Sequence, residues 1–139
     1  MKICAMSDLH GYLPSIEEIE DHEITLICGD ISPLSIQINH KKMRKWLINE
    51  FKPWCESLPS NKVYFIAGNH DELCESDPAF MLNNFPLSKK VTYLWQSGCT
   101  YHSIDGNDYK TLFANSGRIK NGKYVFMFEF LGRIDDYRN

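Results

Sequence analysis

Three short apolar runs punctuate the first half of the chain, and each stops at a polar cluster. Ile3-Cys4-Ala5-Met6, led by Lys2, runs into Ser7-Asp8-Leu9-His10-Gly11. Ile24-Thr25-Leu26-Ile27-Cys28 runs into Gly29-Asp30, and Val63-Tyr64-Phe65-Ile66-Ala67 runs into Gly68-Asn69-His70-Asp71. Runs of this length predict buried strands that deliver polar residues at their carboxyl ends. Between them, Met43, Trp46, Leu47 and Phe51 recur at helical spacing and predict a longer helix with one buried stripe. Pro53 is expected to kink or restart that helix before Trp54 and Leu58. Ser15 and Glu18 have the spacing of a capping box for a short helix carrying Ile16 and Ile19. The order β-α-β-α-β predicts a parallel sheet, whose ligands gather beyond the carboxyl ends of its strands. After residue 90 the pattern shortens. Val91 to Trp95, Cys99 to Ile104, Thr111 to Ala114 and Tyr124 to Leu131 predict strands, with Gly98, Gly106, Gly117 and Gly122 at turns. They form a meander that continues the sheet or begins another.

Composition narrows the class. The chain has 139 residues, of which 43% are hydrophobic and 13% aromatic, enough to bury a core and to exclude wholesale disorder. Its net charge of -3 gives no general electrostatic reason to bind nucleic acid or an acidic membrane. No apolar run reaches the length of a membrane span. The first apolar run meets Ser7-Asp8 too soon to serve as a signal-peptide core. Five cysteines, widely spaced and without a CxxC pair, point to inert thiols in a reducing cytoplasm. With no repeat and no Gly/Ser linker, residues 1–139 read as a single domain.

Chemistry concentrates at the three strand ends. Asp8 and His10 sit two apart at the first, Asp30 at the second, and Asn69 and His70 at the third. Carboxylate, imidazole and amide oxygen together suit divalent ions such as Mn, Fe or Zn. Gly11, Gly29 and Gly68 flank these residues and permit tight turns. Asp and Asn also cap helices and close turns routinely, but turn chemistry does not call for a histidine at two of the three places. His22 and His40 lie in polar stretches and are expected to be solvated, and His102 is expected to be a surface or half-buried strand residue. Lys41-Lys42 with Arg44-Lys45 reads as a solvated helix face, and Glu72, Glu75 and Asp77 as loop.

In Asp8-Leu9-His10, Gly29-Asp30 and Gly68-Asn69-His70-Asp71, over about residues 1–115, the chain resembles the calcineurin-like metallophosphoesterases. The resemblance implies a metal-dependent hydrolase acting on a small phosphomonoester or phosphodiester through a metal-bridging hydroxide. It assigns Asp8 and His10 to one metal site, Asp30 to a bridge between two, and Asn69 to the second site. His70 would meet the phosphate or protonate the leaving group. Asp30 and His70 are thus the implied catalytic residues, with Asn69 and His70 placed to contact substrate. The implied fold is the first half of an α/β/β/α sandwich.

The chain departs from the family pattern in its later ligands. The family continues with a further His and then a GHxH segment, whereas only His102, in Tyr101-His102-Ser103, follows His70 here. Two divalent ions are implied for the family, with one or none expected for this chain alone. The family domain is also close to twice this length, so the domain is expected to be truncated, ending in a polar tail over residues 132–139. An apolar sheet face that includes part of Val125 to Phe130 is then expected to lack its cover, which favours self-association or a partner chain. The competing reading is an inactive phosphoesterase-like remnant that serves as a binding or interaction module.

Overall fold

β-Branched and aromatic residues dominate the first-half runs, and each run forms a strand. In the computed structural model, β1 spans Ile3–Met6, β2 Ile24–Cys28, β3 Lys62–Ile66 and β4 Val91–Tyr93. They pair in parallel in the order β1-β2-β3-β4, with Ile3 opposite Ile24, Ile24 opposite Lys62 and Val63 opposite Val91. The structure describes residues 1–103 throughout, and the backbone of 109–118 and 124–131. The tail at 132–139 and the side chains of Val125 to Phe130 lie outside the described residues.

Between β2 and β3, the chain is helical from His40 to Ser57: α1 His40–Trp46, a π turn Leu47–Phe51, and α2 Lys52–Ser57. Met43, Leu47 and Phe51 are buried, as the stripe predicts. The helix does not restart at Pro53, because Phe51 and Lys52 keep helical angles. One turn widens instead, with the Lys52 N–H reaching back five residues to the Leu47 carbonyl. A proline ring crowds the carbonyl four residues before it, and a wider turn gives that carbonyl room.

The other connections differ more from expectation. Ile16–Glu18 is a single 3₁₀ turn, and Ser15 makes no side-chain cap bond, so the capping box does not form. The segment after the third strand is not loop. It folds into α3 Glu72–Ser76 and α4 Pro78–Asn84, because Leu73, Cys74 and Met81 find the core. Asp77 caps α4 by accepting from the Phe80 N–H at 3.2 Å, and Arg44 Nη2 reaches the same carboxylate at 3.0 Å.

Strand alternation sorts side chains into two cores. Ile27, Val63, Phe65, Val91 and Tyr93 face the helices, where Phe51 packs edge-on against Phe65 at 5.1 Å between ring centroids. Ile24, Leu26, Tyr64 and Ile66 face the other way, toward Leu94 and Tyr101. All helices therefore lie on one side of the sheet, as right-handed crossovers in one direction require. The meander begins a second, antiparallel sheet on the opposite side: β5 Gly98–His102, β6 Tyr109–Arg118 and β7 Tyr124–Leu131, in that order. The Tyr101 hydroxyl donates to Glu23 at 2.9 Å and accepts from Asn61 at 3.3 Å, tying β5 to the first sheet. The described chain is thus three layers, helix on sheet on sheet.

Candidate metal centre

At the carboxyl ends of β1 and β2 the backbone turns left-handed at residues that are not glycine. Asp8 has φ 56°, His10 φ 45° and Asp30 φ 54°. Asp and His are enriched there among non-glycine residues, yet three at one spot need surroundings that hold them. Those surroundings are the loops themselves. The Asp8 N–H donates to the Gly29 carbonyl at 3.1 Å, His10 N–H to Asp30 at 3.0 Å, and Gly11 N–H to Ile31 at 2.8 Å. The loop after β1 is laced to the loop after β2.

The third strand end joins through two aspartates. The His70 N–H donates to Asp30 Oδ1 at 3.0 Å. Asp71, fully buried, accepts from the N–H groups of Gly68 at 2.8 Å, Ser32 at 3.0 Å and Ile31 at 3.2 Å, and from the Ser32 hydroxyl at 2.5 Å. Burial pushes the Asp71 carboxyl above its usual range, and those hydrogen bonds pull against it. Gly68 has no room for a side chain, since a Cβ there would run into the backbone nitrogen and carboxylate of Asp30.

This lacing brings Asp8, His10 and Asp30 together: one ligand atom from each lies within 4.8 Å of the others. Ligands about 2.1 Å from a tetrahedral zinc ion are roughly 3.4 Å from one another, so these atoms would draw closer around an ion. His10 Nδ1 lies 3.4 Å from the Ser32 carbonyl, so Nε2 would be the nitrogen offered to an ion. Ser32 in turn is pinned by Asp71.

Asn69 and His70 stand beside this group. Turned with its nitrogen inward, the Asn69 amide donates to Asp30 Oδ2 at 3.1 Å and Oδ1 at 3.2 Å. Turned the other way, its oxygen faces the same carboxylate, an arrangement that becomes favourable when a cation lies between them. The Asp8, His10 and Asp30 donor set therefore fits a divalent ion. The His70 ring meets that of His10 edge-on, 5.2 Å between centroids, and its Nδ1 lies 3.1 Å from Gln37 Oε1.

The remaining histidines divide. His102 is exposed on β5, as expected, and stands outside the ligand cluster found among the described residues. His22 is buried rather than solvated, with Nδ1 2.8 Å from the Glu20 carbonyl and Nε2 2.5 Å from Thr25 Oγ1. It sits just before β2, and its acidic neighbours in sequence do not reveal its burial. His40 opens α1, half-buried. Three residues around the centre escaped sequence reasoning: Asp71 as a brace, Ser32 and Gln37. Asp71 at least belongs to a motif already singled out; Ser32 and Gln37 carry no local signal.

A family model, that of the calcineurin-like phosphoesterases, matches residues 1–138 of the chain. No curated protein and no solved structure gives a significant match.

Proposed function

The chain belongs to the calcineurin-like phosphoesterase family, and on that premise we propose that it hydrolyses a small phosphomonoester or phosphodiester with the help of divalent metal ions. The observation that carries this reading is the convergence of Asp8, His10 and Asp30 from two strand ends onto one point. Those three would hold one ion, while Asp30 and Asn69 would contribute to a second. Bound there, the ions supply Lewis-acid polarisation of the phosphoryl group and acidify water at neutral pH. Manganese, iron and zinc all suit the donor set.

The chain's own residues do the rest. The two carboxylates balance the positive charge and fix where the phosphoryl group docks. Asn69 presents its amide at the edge of that position. His70, with Nδ1–H held by Gln37, would take a second proton at Nε2 from water and pass it to the ester oxygen as the leaving group departs. All five cysteines are unpaired, which supports a reducing, cytoplasmic setting. No helix among the described residues is long and apolar enough to cross a membrane.

A second reading is a domain that holds one ion or none and acts through contacts. It is favoured by the single three-ligand cluster among the described residues. Metal content and turnover of bis(p-nitrophenyl) phosphate with Mn, Fe or Zn separate the two. Bound metal with turnover, both lost in Asp30→Asn, is the expected outcome. Absence of turnover with all three metals overturns the hydrolase and leaves the contact role.

A further inference from the structure

Gln37 lies between β2 and α1 and is aimed at His70. Its backbone is held on both sides: the Ile36 N–H donates to Pro33 at 3.2 Å, and the Asn39 N–H donates to Ile36 at 2.9 Å. Asn39 caps α1 by accepting from the Lys42 N–H at 3.1 Å. Ile36 packs against the core below. The side chain is therefore presented from an anchored turn, half-buried, with Oε1 3.1 Å from His70 Nδ1.

We propose that Gln37 is a positioning residue that sets the tautomer and the aim of His70. An amide oxygen can only accept, so the contact holds a proton on Nδ1 and leaves Nε2 as the nitrogen that takes up a second proton from water and passes it to the leaving oxygen. The His70 N–H bond to Asp30 fixes the backbone at the same residue, and the His10 ring packs against the imidazole in a T-shaped contact. Held at backbone, ring and Nδ1, the imidazole has little freedom to turn Nε2 away. A neutral amide achieves this without a third negative charge beside Asp8 and Asp30. The catalytic consequence rests on the hydrolase reading; the tautomer does not.

Two measurements test it. Nitrogen-15 NMR of the imidazoles in the metal-free chain should show His70 as the Nδ1–H form. Gln37→Ala should move it to the Nε2–H form, and Gln37→Glu, which keeps an oxygen acceptor, should restore it. In the manganese-loaded protein, Gln37→Ala should lower kcat for an alkyl phosphodiester by about 10–100-fold with KM little changed. The loss with p-nitrophenolate, a leaving group that needs little protonation, should be at least ~10-fold smaller. An unaltered His70 tautomer in Gln37→Ala overturns the proposal, as does an equal loss with both leaving groups. If the wild-type chain turns over neither substrate, the hydrolase reading has failed, and the NMR result alone decides the role of Gln37.

Discussion

Asp71 shows how much a single side chain outside the ligand set contributes. It satisfies three backbone N–H groups and one hydroxyl drawn from two loops, all in the interior. Removing it strands those donors where water does not reach. Asp71→Ala should therefore destabilise the fold by at least ~3 kcal/mol in urea denaturation, since each of the three buried N–H groups left unpaired costs roughly 1–3 kcal/mol. Metal uptake should weaken with it, because Ser32, which supports His10, loses its anchor. At this scale the sequence was legible for residues whose type alone suggests chemistry. Asp8, His10, Asp30, Asn69 and His70 were found from composition at strand ends, and the fold gathers them. Gln37 and Ser32 were not legible, since a polar residue in a loop is unremarkable until its partner's position is known. His22 failed for the converse reason: its neighbours Glu20, Asp21 and Glu23 are polar, but its ring is buried beside β2.

Among the elements, the strands were the most readable. β2 matches its predicted range, because a run that is apolar on both faces suits a strand between two layers. Helical detail was harder. The capping box at Ser15 is a matter of spacing, while the segment it heads closes a single turn in which the Glu18 N–H goes to the Ser15 backbone carbonyl instead of its side chain. The π turn ahead of Pro53 is a compromise between keeping the Met43, Leu47 and Phe51 stripe buried and relieving the proline. Phe51 ends that turn and meets four aromatic rings: Trp46, Trp54, Phe65 and Phe85. Phe51→Ala should lower stability by about 3–5 kcal/mol, the range for emptying a buried aromatic site. Thermal or urea unfolding measures it. A loss below about 1 kcal/mol would mean that the wider turn lets the helix collapse into the space.

For the whole molecule, the second sheet is the part that pattern alone left undecided, since a meander of short strands fits either arrangement. Tyr101 settles it for β5 by burying its ring against Ile24, Leu26, Tyr64 and Ile66 and reaching Glu23. Tyr101→Phe keeps the ring and removes the tie, so it should cost about 1 kcal/mol. Amide hydrogen exchange in β5 should quicken while β2 and β3 stay protected; equal protection in both proteins would show that the ring alone docks the sheet. Over all the described residues, only four that are not glycine turn left-handed: Asp8, His10, Asp30 and Gln96. Three of those four are the gathered ligands. Glycine would be the relaxed residue at such places, so with Asp, His and Asp the chain carries three side chains with lone pairs to offer at points its own backbone disfavours.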